Sequence, residues 1–400
     1  MKVLVIASLF PPNGVGGAEL VAERMAQGLA ARGHDIVVVT LAPSGESTRI
    51  IKRDGIQVIF LPIANLYGIL DAPSKHPAIK VCWHVADIYN AAMGRKVEEL
   101  IRDTTPDILC VHNLAGFSVA IYEAARRCGT PLVQVLHDHY FLCPYSVCYR
   151  RGRPCATPCL PCRMVRLPHR RLTATAAAVV GVSRFILNKV TAHGMFPGVP
   201  TAVIHNARDL PALAKTRTGN ARIFGYLGSL VPHKGIELLI RAFLEIASNG
   251  TSLVVAGNGT PQYLEHLRRI SGTAPIEFIG HTRPERFFPL VDVVVIPSVC
   301  AEAFSLVAAE SILSGVPVIA ARRGGLPEVI TDGGNGLLFN PDSSGELADC
   351  LQRVIDDPAL FHALKANTRS SAIPFGDIEG WLSKYEAILQ STLVDCAKCK

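Results

Sequence analysis

Two glutamates spaced eight residues apart, Glu302 and Glu310, are the residues whose types and spacing most directly suggest chemistry. They bracket the start of a predicted helix over about residues 304–313, which is otherwise apolar. Isolated pairs of this kind more often belong to a solvated helix face. A carboxylate in an apolar helix, however, needs partners, because burying an unpaired charge is costly. Eight residues span just over two helical turns, so both carboxylates are predicted to lie on one side of the helix.

Predicted β-strands come directly before and after this helix. The first is the β-branched run Val293–Ile296, which ends at a Pro-Ser turn, and the second covers residues 318–320. Gly315 and Pro317 end the helix between them. Because open α/β sheets bind ligands at the carboxyl ends of parallel strands, the two carboxylates are predicted to line a ligand crevice.

The flanking motifs extend this pattern well beyond the two glutamates. P-S precedes E-x7-E, and S-G-x-P-V-I-A, G-G-x-P-E and G-x-N-G-x-L follow it. Together they resemble the signature of the family 4 (group 1) retaining glycosyltransferases with the GT-B fold. The resemblance implies an α/β protein with two Rossmann-like, doubly wound domains that face each other across a cleft. It predicts an N-terminal acceptor domain (1–207, with a cysteine-rich insertion at 143–171), a donor domain (208–376), and a C-terminal helix that crosses back, with a tail (377–400).

A strand, a glycine turn and a lysine before a helix predict a phosphate site in the second half of the chain. The segment G-S-L-V-P-H-K-G contains Gly228, Ser229 and Lys234. The lysine acts as a point charge on phosphate oxygens, and the helix N-terminus adds its dipole. The family's usual form is G-R-L-x-x-x-K-G, so Ser229 stands where an arginine is expected. Arg322, Arg323 or an arginine of the first domain are candidates to supply the missing charge.

Further glycine-rich turns follow other predicted strands. Gly257 ends one strand, and His281 ends another that resembles the family's F-x-G segment beside the nucleotide base. Near the N-terminus, Gly16 and Gly17 precede a helix, where backbone N–H groups can bind an anion. Alone they would predict only a tight turn, but the family places this loop near the donor phosphate and the acceptor. A dinucleotide site is not predicted, because the G-x-G-x-x-G pattern is absent.

Histidines end two predicted strands of the first half, His112 after residues 107–111 and His137 after Leu132–Leu136, with His139 close behind. This is a ligand position in an α/β sheet, although a half-buried structural histidine is an equally ordinary role. The resemblance singles out His137, which is expected to bond the transferred sugar.

The resemblance also assigns roles. Glu302 is expected to bind hydroxyls of the donor sugar, Glu310 the ribose hydroxyls, and His137 an outer sugar hydroxyl. The charge of the leaving nucleoside diphosphate is expected to meet Lys234 and three backbone N–H groups at the helix start, those of Phe304, Ser305 and Leu306. The sequence contains no D-x-D motif of the kind that binds a metal in other transferases, which agrees with metal-independent transfer.

Five cysteines lie between residues 143 and 162. In a reducing compartment this density predicts metal ligation by Cys148, Cys155, Cys159 and Cys162, with Cys143 as a spectator. Zinc is the expected ion and an iron–sulfur cluster the alternative. A loop of reduced, unligated thiols remains the other interpretation. The site would be structural.

Residues 150–171 are also rich in arginine, which predicts either a solvated loop or a landing site for a phosphorylated lipid acceptor or an anionic leaflet. The net charge of +7 is too small to indicate nucleic acid. The N-terminus does not resemble a signal peptide, and no apolar run is long enough to span a membrane. We therefore expect a cytoplasmic protein with a nucleotide sugar and a glycan or lipid-linked acceptor as partners. Only the landing-site interpretation of residues 150–171 would place it at the inner membrane face.

Two other functions fit the same architecture. An epimerase would convert a nucleotide sugar without an acceptor, and a catalytically inert protein would only bind it. Nothing in the sequence names the sugar, the base or the acceptor.

Overall fold

The computed structural model describes residues 1–14, 16–210, 219–247, 250–343 and 345–398. Within these ranges the chain forms two compact units. The first contains residues 1–147, 157–205 and 379–400, and the second contains residues 148–156 and 206–378.

The strands of the described residues are as follows: β1 Lys2–Ile6, β2 Asp35–Leu41, β3 Arg49–Arg53, β4 Ile56–Leu61, β5 Ile108–Val111, β6 Leu132–Leu136, β7 Tyr149–Arg150, β8 Arg153–Pro154, β9 Ala178–Gly181, β10 Thr201–Val203, β11 Ile223–Leu227, β12 Ser252–Ala256, β13 Ile276–Gly280, β14 Val293–Ile296, β15 Val318–Ala321 and β16 Gly336–Phe339.

The α-helices are α1 Gly17–Ala31, α2 Pro77–Ala86, α3 Ala91–Thr104, α4 Ala120–Cys128, α5 Leu160–Val165, α6 Leu167–Thr173, α7 Arg184–Ala192, α8 Ile236–Ile246, α9 Pro261–Ser271, α10 Pro284–Phe287, α11 Leu306–Leu313, α12 Glu346–Asp356, α13 Pro358–Gly376 and α14 Ile378–Lys398. Short 3₁₀ helices cover Ile69–Ser74, Pro232–Lys234, Phe288–Leu290 and Leu326–Glu328.

The first unit is built on an eight-stranded sheet in the order β10-β9-β6-β5-β1-β2-β4-β3. All neighbours are parallel except β3, which is antiparallel to β4 at the edge. The central strands β1 and β5 are almost wholly buried, as expected where helices cover both faces of a parallel sheet. Helix α14 belongs to this unit apart from its first residue, and Arg32, the C-cap of α1, binds its Glu379 and Glu386 carboxylates at 2.6 and 2.8 Å.

The second unit has a six-stranded parallel sheet in the order β13-β12-β11-β14-β15-β16. The order reverses at β11, so the crevice expected of a doubly wound sheet lies at the carboxyl ends of β11 and β14. Its core includes five fully buried phenylalanines, Phe224, Phe243, Phe287, Phe339 and Phe361.

The predicted α/β class with two Rossmann-like sheets is confirmed, and most predicted strands lie within a residue of their observed bounds. Between β4 and α3, Ile69–Ser74 form a 3₁₀ helix and Pro77–Ala86 form α2. No helix in the described ranges is both long enough and apolar enough to cross a membrane.

Candidate functional site

Three glycine turns line up at the carboxyl edge of the second sheet. The N–H of Gly228 donates to Ala256 O at 3.0 Å, and the N–H of Gly257 donates to Gly280 O at 2.8 Å. Gly257 has a φ of +145°, and a Cβ there would lie 1.8 Å from Gly228 O. Only glycine fits such a close approach. His281, next in the chain, is exposed at the same edge.

Lys234 and Glu302 form an ion pair at this edge, with Lys234 Nζ 3.0 Å from Glu302 Oε1. The Glu302 side chain is only 9% exposed and that of Lys234 is 33% exposed. The hydroxyl of Ser298 also donates to the Glu302 carboxylate. The cation expected to bind phosphate is therefore held by the acid expected to bind sugar.

The electrostatics of the pair favour two charged groups. Burial by itself would raise the pKa of Glu302, but Lys234 and hydrogen bonds from Ser298 and Ser305 outweigh it, so this pKa lies below its usual value. Burial works in the opposite direction on Lys234, and the Glu302 carboxylate overcomes it and raises the pKa of the lysine. The site thus keeps a charged acid and a charged base side by side at neutral pH.

Glycines on both sides hold this pair in place. Gly235 has a φ of +75°, and a Cβ there would lie 1.9 Å from Pro297 O. Gly324 has a φ of +65°, and a Cβ there would lie 2.3 Å from Glu302 O, which also accepts the N–H of Gly325 at 2.8 Å. The lysine turn thus packs directly on the end of β14, and the Glu302 backbone is fixed by the glycines after β15.

The helix after Glu302 begins later than predicted. Ser305 is the N-cap of α11, its hydroxyl accepts the N–H of Ala308 at 3.4 Å, and Leu306 is the first helical residue. Phe304 therefore lies outside the helix, with its ring 6.2 Å from that of Phe375. Glu302 precedes the N-cap, so the prediction that the two glutamates share a helical face is wrong.

Glu310 has a partner that the sequence analysis missed. Arg208 Nε donates to Glu310 Oε1 at 2.7 Å, and the two side chains are 17% and 5% exposed. Burial raises the pKa of Glu310, and Arg208 only partly opposes this effect. Arg208 directly follows residues 203–207, whose sequence is V-I-H-N-A. The sequence did indicate that a carboxylate on an apolar helix needs a buried cation as its partner, but it did not indicate which residue supplies that cation.

The two arginines after β15, which were candidates to replace the arginine missing at Ser229, both bind other groups. Arg322 binds the carboxylate of Asp332 and the carbonyl of Leu338. Arg323 binds the carbonyl of Val299 at 2.6 Å and the carboxylate of Asp342. Neither guanidinium is thus free to replace the arginine missing at Ser229, which is itself exposed.

In the first unit, Gly16 is the N-cap of α1 and Gly17 its first residue. Burial raises the pKa of Glu19, while backbone hydrogen bonds at Glu19 and Gly16 and a 3.4 Å hydrogen bond from Asn113 Nδ2 oppose that rise. The amides predicted to bind an anion therefore already have a carboxylate beside them, that of Glu19.

His137, at the carboxyl end of β6, lies next to His112, at the end of β5. Nδ1 of His112 is 2.8 Å from Nε2 of His137. Burial lowers the pKa of His137 to about 3. The carboxyl ends of two neighbouring strands thus contribute one histidine each to a pair. The sequence predicted these histidines only as two separate candidates.

The structure does not support the predicted metal site at Cys148, Cys155, Cys159 and Cys162. In the described part of the chain, no group of three or more His, Cys, Asp or Glu side chains is arranged to hold a metal ion. The N–H of Cys155 donates to Cys148 O at 2.7 Å, and both residues belong to the second unit. Cys159 and Cys162 belong to the first unit, with sulfurs 3.2 Å apart. Cys143, predicted as a spectator, interacts with Cys162.

The arginines of the stretch 150–171 are not all exposed. Arg166 is only 3% exposed, with its guanidinium 4.2 Å from the Tyr140 ring centre. By contrast, the hairpin β7–β8 carries exposed arginines and belongs to the second unit, where the Tyr149 ring lies 5.8 Å from that of His233. The hairpin therefore packs on the residue before Lys234.

Comparison with known families agrees with this geometry. Residues 221–357 match the family model "Glycosyl transferases group 1", and residues 16–207 match "Glycosyl transferase 4-like domain". A glycogen synthase of Mycobacterium tuberculosis is 26% identical, over 90% of this chain and 87% of the relative. A Klebsiella pneumoniae protein described as an uncharacterized 42.6 kDa protein in the cps region is also 26% identical, over 82% and 87%.

Solved structures show the same fold. Sucrose-phosphate synthase from Thermosynechococcus elongatus superposes with a TM-score of 0.73 at 19% identity, over 98% of this chain and 99% of that one. Anabaena HepE in complex with UDP-glucose gives 0.71 at 21% identity, over 98% and 100%.

Two Rossmann-like sheets, with a carboxylate–ammonium pair at the carboxyl edge of the second, define a glycosyltransferase of the GT-B fold. The chain belongs to the group 1 glycosyltransferases, whose activity is sugar transfer from a nucleotide-sugar donor.

Proposed function

We propose that the protein is a retaining, metal-independent hexosyltransferase. It moves a sugar from a nucleoside diphosphate to a hydroxyl of a glycan, a lipid-linked saccharide or a small molecule. The observation that carries this proposal is the buried Glu302 carboxylate, held 3.0 Å from Lys234 at the carboxyl edge of the second sheet. A buried, ionised acid accepts hydrogen bonds from sugar hydroxyls, and the ammonium beside it attracts phosphate oxygens.

In this proposal, catalysis comes from positively charged and N–H groups of the protein that surround the negatively charged leaving group. In retaining transfer the sugar becomes oxocarbenium-like while the nucleoside diphosphate leaves with the electrons of the C1–O bond. The acceptor hydroxyl oxygen forms the new bond to C1, and its proton passes to an oxygen of the departing diphosphate. Lys234 and the backbone N–H groups before and at the start of α11 stabilise the departing diphosphate. Because Lys234 is already fixed by Glu302, it needs little reorganisation when that charge develops.

Glu310 is proposed to bind the ribose of the donor. Arg208 occupies its Oε1 atom, which leaves Oε2 to accept hydrogen bonds from vicinal hydroxyls. The likeness to HepE, which was solved with UDP-glucose, supports a uridine nucleotide as the first donor to test. Gly257 and His281 would lie beside the base, and His137 would bind an outer hydroxyl of the sugar.

A transfer assay with matched glutamate variants tests the proposal. Glu302→Gln keeps the side-chain size but loses the charge, and we expect transfer to fall by about 10²–10³-fold. Glu277→Gln, at an exposed site on β13, is the control and should stay within about twofold of the wild type. Equal activity of the two variants would contradict the proposal. NMR of the product then reports its anomeric configuration. Conversion of the donor without an acceptor would indicate an epimerase. Binding of the donor without turnover would indicate an inert protein.

The arginine hairpin is proposed to bind an anionic acceptor. Among the described residues, the exposed side chains of Arg150, Arg151 and Arg153 have no hydrogen-bond or ion-pair partner. Replacing all three with glutamine should raise the KM for a phosphorylated acceptor and leave the KM for the donor unchanged. Arg163→Gln, an exposed arginine on α5, is the control. An unchanged acceptor KM would refute this assignment, and loss of sedimentation with anionic vesicles alone would indicate a membrane contact instead.

A further inference from the structure

The histidine pair lies at the carboxyl edge of the first sheet. His112 follows β5 and His137 follows β6, and these strands are parallel neighbours. The His112 residue is 2% exposed, and its Nδ1 is 2.8 Å from His137 Nε2. The side-chain amide of Gln134 donates to the carbonyls of Val111 and His112, at 3.1 and 3.4 Å. The strand end that carries His112 is therefore held in place by its neighbour.

Both imidazoles are neutral at physiological pH. Burial lowers the pKa of His137 to about 3, and burial together with His137 lowers the pKa of His112 well below its usual value. A hydrogen bond between two neutral imidazoles has one N–H donor and one acceptor nitrogen. The tautomer of His112 consequently determines the tautomer of His137.

A third side chain sets the direction of this hydrogen bond. Cys110 Sγ lies 3.8 Å from His112 Nε2, and burial raises the pKa of the thiol to about 12, so the sulfur keeps its proton. Imidazole nitrogen accepts hydrogen bonds better than thiol sulfur does, and the thiol has a proton to donate. Cys110 therefore donates to His112 Nε2, and His112 carries its own proton on Nδ1.

We infer that His112 is a positioning residue that fixes His137 as a hydrogen-bond donor. The Nδ1–H of His112 donates to Nε2 of His137, so His137 is protonated at Nδ1. Its Nδ1–H is then available to an acceptor oxygen, and the hydroxyl oxygen of the transferred sugar is that acceptor. This last step rests on the proposed function, whereas the tautomer does not.

Nitrogen NMR of the histidine rings tests the tautomer directly. In ¹⁵N-histidine protein, long-range correlation spectra should show a protonated Nδ1 and an unprotonated Nε2 for His137, assigned by loss of its signals in His137→Gln. His112→Leu removes the donor, so His137 should lose this preference. His112→Asn places an amide N–H near the former Nδ1 and should keep it. A wild-type His137 protonated at Nε2 would overturn the inference, whichever variants fold.

Kinetics separate the inference from the proposed function. We expect His112→Leu to lower kcat by about tenfold. The Kd of the free nucleoside diphosphate should change less than twofold, since that ligand lacks the transferred sugar. His112→Asn should recover at least half of the loss. His193→Leu, a histidine at the end of α7, is the control. Full activity of His112→Leu would overturn the inference. If His137→Gln itself transfers normally, the sugar contact in the proposed function fails, and the spectra still decide the tautomer.

Discussion

Replacing Arg208 with methionine should leave the buried Glu310 carboxylate without its cation. The ion pair has an Nε–Oε1 distance of 2.7 Å, and the Glu310 side chain is 5% exposed. Breaking a buried ion pair from one side typically costs about 3–5 kcal/mol. Glu310 can reduce this cost by taking up a proton, so the loss of stability should depend on pH.

The size of the loss follows from proton linkage. In the variant the folded carboxyl group is neutral, whereas the unfolded one ionises above its ordinary pKa of 4.5. Each pH unit above that value therefore costs about 1.4 kcal/mol of stability. We expect the stability of the variant to fall by about 2.7 kcal/mol from pH 5.5 to pH 7.5, a steeper fall than in the wild type, where Glu310 still has Arg208 as its partner. The double variant with Glu310→Gln should lose the pH dependence, because no carboxylate remains to protonate.

Hydrogen–deuterium exchange of the peptide covering Leu306–Leu313 is the suitable assay. Both tryptophans, Trp83 and Trp381, lie in the first unit, so their fluorescence does not report on the second. Arg322→Met breaks a surface pair whose side chains are 52% and 44% exposed and should cost less than about 1 kcal/mol. A loss for Arg208→Met that is equally small, or equal at both pH values, would refute the reasoning.

Three further predictions concern charge. Lys234→Met should weaken binding of a nucleoside diphosphate by roughly 10- to 100-fold in calorimetry, because it removes a charged hydrogen bond; a change below twofold would contradict the phosphate role. Ser229→Arg, at an exposed position, should tighten the same binding by about tenfold, and unchanged affinity would show that the site lacks no cation. His137 has a folded pKa of about 3 and an ordinary value of 6.5, so its stabilisation is complete above pH 6.5 and is lost as pH falls toward 3. In denaturation followed by tryptophan fluorescence, the loss from neutral pH to pH 5 should be about 2 kcal/mol smaller for His137→Gln than for the wild type, because the other buried histidines of this unit are present in both proteins.

The sequence determined the class of fold and the family. Runs such as Val293–Ile296 and Leu132–Leu136 were predicted with their observed bounds, because a strand buried on both faces is an uninterrupted apolar segment ended by turn residues. The motifs around Glu302 identified the family because each is a short stretch of consecutive residues, which can be recognised without knowing the tertiary structure.

Only the tertiary structure decided which side chains meet. Arg208 reaches Glu310 across about a hundred residues of sequence, and His112 reaches His137 between neighbouring strands. The predicted cysteine site was not supported, because spacing along a loop does not say where each thiol packs. Hydrophobic periodicity is encoded locally, whereas the partner of a buried charge or imidazole depends on strand order and register, which residues far apart in the chain set together.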